Sequence, residues 1–316
     1  MKLSIVIPVY NAEKNIHILL DSVLCSNKEF EVICVNDGSS DNSTSVINSY
    51  NDSRVKVFTK ENEGTFKAWQ YGVKYATGDY ITIFDQDDYI DSDYIDFIYE
   101  FMNSIQADIL FTPYYVEQEN GERSICKIGI DEGVYKYDGL SKISDKLLGG
   151  MVPYAKFTKV VRRELYERQV ANTYQGQLRD YEDWLTLVEI FKMANSIYIK
   201  NKPYYHYIQY SNSVSKSTIS YKRNYVSLMT ILNFMKNDSS VRLDERNYNS
   251  FGFRALNILL GKCLQIGEYD LANEIVSHSL FHDNVISSDI NIFRKIVFYT
   301  KSIWIVKLYR KIRGKE

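Results

Sequence analysis

Short apolar runs and amphipathic stretches alternate along the first hundred residues. Residues 3–9 form an unbroken β-rich run, and in residues 12–24 Ile16, Leu19, Leu20 and Val23 recur at helical spacing. A second apolar run at 30–35 is followed by a helical pattern at 43–50 and an extended segment at 55–58. Residues 65–75 read as helix, 80–84 as a buried strand and 91–103 as helix again. Strands alternating with helices at this pace predict an α/β domain with a mostly parallel, doubly wound sheet. Ligands of such sheets bind at the carboxyl ends of the strands. Three polar clusters fall there and should converge on one edge: Tyr10-Asn11, Asn36-Asp37-Gly38 and Asp85-Gln86-Asp87-Asp88.

Beyond residue 109 the pattern is less regular, with short strands and helices mixed up to about residue 215. From about Ser220 it is helical, over 225–235, 248–265, 269–281 and 290–312. Ser, Lys and Thr cluster near 216–222 and set a boundary. The expected organisation is an α/β domain over 1–218 and a helical region over 219–316.

Composition changes this picture little, with 45% hydrophobic and 25% charged residues among 316, as in ordinary globular proteins. A formal net charge of -2 speaks against general nucleic-acid binding, which needs a broad basic surface. The charge is unevenly spread. Residues 294–316 hold eight basic residues and one acid, leaving the remainder at -9. Phe293, Ile296, Tyr299, Trp304 and Tyr309 interleave with those cations, a mixture suited to the interface of an anionic membrane. A helix packed on the domain or on a second copy, in a homo-oligomer, suits the same pattern. The cysteines at 25, 34, 126 and 263 show no CxxC spacing and read as thiols of a reducing compartment. No secretory leader pattern and no run of about 18 apolar residues occurs, so a cytoplasmic protein is expected, peripheral at the inner face of the plasma membrane if the tail binds lipid.

The sharpest chemical signal is Asp85-Gln86-Asp87-Asp88. Three carboxylates at the end of a buried strand repel one another unless a cation joins them. Mg²⁺ or Mn²⁺ bridging to a diphosphate suits such hard oxygen ligands and offsets charge on a departing nucleotide. A solvated acidic turn ahead of the next helix would look similar. No GxSxG, HExxH or Walker-type loop is present.

Four segments in order, Ser4 to Asn11, Val35-Asn36-Asp37-Gly38-Ser39-Ser40-Asp41, Asn62-Glu63-Gly64, and Gly78-Asp79-Tyr80 leading into the Asp85 cluster, resemble the inverting family 2 glycosyltransferases of GT-A fold, of the bacterial surface-polysaccharide type. The resemblance is specific over the first ~100 residues and weaker to about 215. It implies a Rossmann-like, mostly parallel mixed sheet and transfer of a sugar from a nucleotide sugar, with UDP favoured, onto an acceptor hydroxyl. Carried onto this chain, it implies that Pro8, Tyr10, Asn11 and Glu13 line the nucleotide site, with the Tyr10 ring against the base. Asp37 would accept a hydrogen bond from the base imino group. Asp85 and Gln86 would lie on the donor, Asp87 would hold the metal, and Asp88 would sit beside the sugar or acceptor. Helix-terminal packing for Tyr10 and Glu13, and a turn-stabilising role for Asp37, remain open. One departure stands out: members commonly carry Ala-Arg-Asn after Asn-x-Gly, whereas here Ala68-Trp69-Gln70 follows Lys67. Lys67 could supply the donor-binding charge.

An inverting transfer needs a general base facing the leaving group across the anomeric carbon. In Asp180-Tyr181-Glu182-Asp183-Trp184 the resemblance implies Asp183 as base and Glu182 on the acceptor, although acids also suit a helix N-terminus through its dipole. Trp184 could stack on a sugar or belong to the core. His206 is a candidate extra metal ligand and Ser213 a phosphate contact. The acceptor would be a glycan or lipid-linked sugar. The alternative is a non-catalytic subunit that binds nucleotide sugar or scaffolds a polysaccharide assembly complex; a sugar nucleotidyltransferase would need a Gly-rich, Arg-containing first loop that is missing here.

Overall fold

The computed structural model of the protein describes residues 1–136, 154–176, 178, 180–210, 220–237 and 245–278. It divides into two compact units, Met1–Ser213 and Val214–Glu316.

The first unit opens with strand β1 (Leu3–Val9), helix α1 (Ile16–Leu24), β2 (Phe30–Asp37), α2 (Ser43–Asn48), β3 (Val55–Lys60), α3 (Thr65–Val73) and β4 (Tyr80–Ile83). Next come β5 (Tyr89–Ile90), α4 (Tyr94–Glu100), β6 (Ile109–Phe111), β7 (Tyr114–Gln118), β8 (Arg123–Cys126) and β9 (Gly133–Lys136). A 3₁₀ turn (Lys156–Thr158) leads into β10 (Lys159–Arg162), α5 (Arg163–Asn172), α6 (Glu182–Met193), β11 (Ser196–Ile199) and β12 (Tyr205–Gln209). The main sheet runs β3-β2-β1-β4-β10-β6-β11-β9, and a smaller sheet runs β5-β12-β7-β8. Strands β3, β2, β1 and β4 are mutually parallel, while β10 lies antiparallel between β4 and β6. The α/β class, mostly parallel sheet and C-terminal helices are as expected from the sequence.

Every residue of β1 and β2 is buried, because both faces of the sheet are covered. Ile5, Ile7, Val32 and Cys34 share a core with Ile16, Leu19, Leu20, Tyr94 and Ile98 from α1 and α4. The opposite face, with Val6, Ile33 and Val35, meets α3 so closely that a Cβ on Gly72 would lie 2.5 Å from Val6. An unbroken apolar run is therefore what the position demands.

Helix α1 starts at Ile16, later than the apolar spacing suggests. The backbone N–H groups of Asn11, Ala12 and Glu13 donate instead to Ser39 Oγ, Ser43 Oγ and Asp41 Oδ2, which ties the post-β1 loop to the post-β2 loop. Helix α4 likewise ends early, widening into a π turn (Phe101–Ile105) that stops at left-handed Gln106. In the second unit, α7 (Ser220–Asn237), α8 (Glu245–Ile266) and α9 (Tyr269–Ser277) form a helical cluster, with α8 packed on both neighbours. No described helix is long and apolar enough to cross a membrane. The predicted helix at 290–312, the basic tail and Ser213 lie outside the described residues.

Candidate active site

Parallel register brings the ends of four strands together: Val9 lies opposite Asn36, Asp37 opposite Lys60, and Val6 opposite Ile83. The loops leaving them enclose an open pocket of about 180 Å³ lined by Pro8, Val9, Tyr10, Asp37, Thr65, Ala68, Asp85, Gln86 and Asp87. Tight backbone geometry shapes this edge. Asn11, Gly38 and Gly64 all have positive φ, and a Cβ at Gly38 would stand 3.0 Å from the Asn62 nitrogen.

Within the pocket, Gln86 makes a two-point amide pair with the Tyr10 backbone, accepting from its N–H at 2.7 Å and donating to its carbonyl at 3.0 Å. That clamp fixes the loop while leaving the Tyr10 ring 47% exposed at the mouth. Asp37 is buried. Its carboxylate accepts from Lys60 Nζ at 2.9 Å and from the N–H groups of Glu63 and Gly64 at 3.1 and 2.7 Å. It therefore holds the Asn62-Glu63-Gly64 loop beside the pocket rather than stabilising its own turn.

Asp85 and Asp87 both face the pocket, and Asp87 is pushed up to about 6 by burial and by the charge of Asp85. Asp88 differs. It is wholly buried, accepting from the Ile208 N–H at 2.9 Å and the Tyr205 hydroxyl at 2.7 Å, so its carboxylate pins β12 under the acidic turn. Burial and the neighbouring Asp85 and Asp87 drive its carboxyl well upward. Asn11 and Glu13 are likewise not among the pocket-lining residues. Asn11 Oδ1 accepts from the Ser40 N–H at 2.9 Å, and Glu13 Oε2 from the Asn42 N–H at 2.9 Å. Lys67 is half-buried on α3 and does not line the pocket, whereas its neighbours Thr65 and Ala68 do. Trp69, where the arginine of the resembling family would stand, is fully buried, packed edge-on to Phe66 and Tyr166.

Among the described residues no three His, Cys, Asp or Glu side chains form a metal cage. Mg²⁺ is commonly bound through one or two carboxylates with substrate phosphates completing the shell. Asp87, whose charge burial and Asp85 both oppose, is the residue such a cation would relieve.

The second acidic pair opens α6. It follows Tyr181, whose φ of 64° is rare for an aromatic residue. Asp183 Oδ2 accepts from the Lys156 N–H at 3.2 Å, and Asp183 Oδ1 is buried with no hydrogen-bond partner among the described residues. Glu182 is pushed up to about 8 by burial and by Asp183.

Lys156 joins the two acidic groups. Its Nζ lies 2.7 Å from Asp85 Oδ1, in a buried ion pair that sequence reasoning missed. No motif marks this residue. It reaches the pocket because β10 runs antiparallel to β4, so the turn before β10 lies where β4 ends. Nearby, Lys159 is fully buried, donating to the carbonyls of Tyr154 and Ala155, and burial brings its amine down to about 7.

Two candidates belong to the scaffold. Trp184 is 2% exposed and part of the core. His206 has both ring nitrogens engaged, with Glu117 at 2.8 Å and Asp91 at 2.9 Å, which removes it as an extra metal ligand.

Residues 4–169 match the family model described as glycosyl transferase family 2. Among curated proteins, GlyA of Streptococcus pneumoniae serotype 4 is 34% identical over 122 residues, 38% of this chain and 18% of that protein. GlyG of the same organism, like GlyA named a glycosyltransferase, is 26% identical over 244 residues, 72% of this chain and 78% of that one. Among solved structures, an S. aureus TarS fragment in complex with UDP-GlcNAc superposes with TM-score 0.65 at 23% identity, covering 81% of this chain and 72% of that one. That likeness establishes the shared fold.

Proposed function

Since this chain belongs to glycosyl transferase family 2 and is a glycosyltransferase of GT-A fold, we propose that it is an inverting enzyme moving a sugar from UDP to a glycan hydroxyl. The observation that carries this reading is the presence, beside a donor pocket's acidic turn, of a separate carboxylate, Asp183, joined to it through Lys156 and with no partner for Oδ1 among the described residues. The Tyr10 ring offers a face to the base, and Asp37, which lines the same pocket, suits the imino group of uracil. A Mg²⁺ or Mn²⁺ ion held by Asp87, with Asp85 alongside, would offset charge on the diphosphate as it departs. The binding of UDP-GlcNAc by TarS supports a UDP-sugar as donor.

Asp183 Oδ1 takes the proton of the acceptor hydroxyl. The acceptor oxygen bonds to the anomeric carbon as the bond from that carbon to the phosphate oxygen breaks, and its electron pair leaves with UDP. Glu182, beside Asp183 at the start of α6, binds the acceptor. The domain that performs this is residues 1–218, and the acceptor is a lipid-linked or polymeric surface glycan, a reading supported by the basic, aromatic-rich tail in the sequence.

The test is a thermal-shift panel of nucleotides and UDP-sugars with and without Mn²⁺, followed by Asp183→Asn. A ligand that binds only the folded state raises the melting temperature in step with its affinity. A Mn²⁺-dependent shift with UDP is expected, and Asp183→Asn should keep that shift while losing transfer. No shift with any nucleotide favours a scaffold subunit, and near-normal turnover by Asp183→Asn removes it as base.

A further inference from the structure

We propose that Lys156 is the positioning residue of the transfer site, a buried cation that fixes the donor-side Asp85 and the acceptor-side Asp183 relative to each other. The inference rests on the proposed function and adds a residue to its machinery. Lys156 spends its two polar ends on different carboxylates: Nζ on Asp85 Oδ1 and the backbone N–H on Asp183 Oδ2. A lysine that is 7% exposed would be costly without such partners. Burial works against its charge, yet Asp85 and Asp183 hold the ammonium protonated.

The turn that carries Lys156 is pinned on every side. Lys159 Nζ holds the carbonyls of Tyr154 and Ala155, and the Thr112 N–H donates to the Thr158 carbonyl at 3.0 Å. The Phe157 ring stacks on Tyr205 with centroids 4.3 Å apart and planes 4° from parallel. The Tyr205 hydroxyl in turn accepts the Asp85 N–H at 2.9 Å. A closed circuit results: Asp85 to Lys156, through the turn to Phe157, on to Tyr205 and back to Asp85. Asp183 hangs from that circuit by the Lys156 amide. One side of its carboxylate, Oδ2, is thereby fixed, and Oδ1 is buried with no hydrogen-bond partner among the described residues.

Lys156 does not line the pocket, so it acts through its two carboxylates rather than by touching the donor. A cation that bound the diphosphate would change donor affinity. One that aligns base and donor changes turnover, because misplacement by about 1 Å can cost on the order of 100-fold.

The experiment compares the full-length protein with Lys156→Met and Lys156→Gln, using UDP-glucose, UDP-galactose and their N-acetyl amines with Mn²⁺. UDP affinity is measured by calorimetry, UDP release with water as acceptor gives kcat and KM, and melting curves report folding. Lys156→Gln keeps a polar head for Asp85 and carries the test if the Met variant does not fold. The expected result is UDP affinity and KM within about threefold of wild type, with kcat lowered about 100-fold. Unchanged kcat, or affinity lost in proportion to kcat, would overturn the assignment. A wild-type protein that neither binds UDP nor releases it from any of these sugars overturns the proposed function itself.

Discussion

Replacing Glu31 by Gln should weaken the fold without touching the transfer site. Glu31 lies in β2 with its side chain 2% exposed, at the end of the sheet opposite the pocket. Its Oε1 accepts from Ser4 Oγ at 2.6 Å, from the Thr77 N–H at 2.6 Å and from Thr77 Oγ1 at 2.7 Å, while Oε2 meets Lys56 Nζ at 2.6 Å. One carboxylate thus joins β1, β2, β3 and the turn leading into β4. Burial alone would raise its pKa, but Lys56, Ser4 and Thr77 outweigh that and hold it at about 2, against 4.5 for a free side chain.

That difference corresponds to roughly 3 kcal/mol of stability. Lys56 is 44% exposed, so part of its contribution is screened by water, and about 2 kcal/mol is the better expectation. Glutamine can still accept from Ser4 and Thr77, but its NH₂ group then faces the Lys56 ammonium. The sign is fixed by the lowered pKa: the stabilisation is complete above about 4.5 and fades as pH falls toward 2. Urea unfolding followed by tryptophan fluorescence can read it, since Trp69 and Trp184 are buried in the same unit. Wild type should exceed Glu31→Gln by about 2 kcal/mol at pH 7, with the gap narrowing as pH falls from about 4.5 toward 2. A gap of equal size at both ends, or none at pH 7, refutes the reasoning, and UDP affinity should be the same in both proteins.

Three further outcomes follow from the site and the tail. Asp87→Ala should abolish Mn²⁺-dependent UDP binding, and calorimetry showing equal affinity would remove Asp87 as the metal-holding residue. In the metal-free protein, wild type should lose melting temperature relative to Glu182→Gln between pH 6 and pH 8.5, because Glu182 is held near 8 and the folded state keeps a proton that the unfolded state, at 4.5, releases. The buried Lys159 amine, brought down to about 7, acts in the opposite direction in both proteins and cancels in the difference. A difference that stays constant or grows with pH would contradict it. Deleting residues 303–316, which carry five of the tail's basic residues, should release the protein from anionic vesicles at unchanged melting temperature. Equal vesicle binding in a sedimentation assay would end the membrane reading.

The legible parts of this molecule are those whose physics is local in sequence. Strand β1 and helix α3 could be read directly, since a run buried on both faces must be apolar throughout and a helix on a sheet must repeat its apolar residues with period 3.6. The convergence of Tyr10, Asp37 and Asp85 was equally accessible, because parallel strands end at one edge. What the pattern could not reveal is the direction in which each polar side chain turns. Asn11, Glu13 and Asp88 stand in motif positions beside the pocket, yet their oxygens are spent on Ser40, Asn42, Tyr205 and Ile208. A carboxylate at a strand end can serve a ligand or a neighbouring loop, and spacing alone does not distinguish the two.

The cation of the site was hidden for a different reason. The acids of the pocket come in sequence-local groups, 85–88 and 182–183, because each is displayed on one turn or one helix start. Their countercharge comes from a single lysine 71 positions after Asp85 and 27 before Asp183, in a stretch with no clear periodicity. Only the antiparallel insertion of β10 beside β4 brings it there. Lys67, the cation adjacent to the motif, stays outside the pocket lining, while Trp69 fills the neighbouring position with core. Clustered acids at a buried strand end imply that a cation must exist. Whether it is a metal, a lysine or both is decided by the strand order, and here the lysine already neutralises Asp85, leaving Asp87 as the carboxylate whose charge awaits a partner.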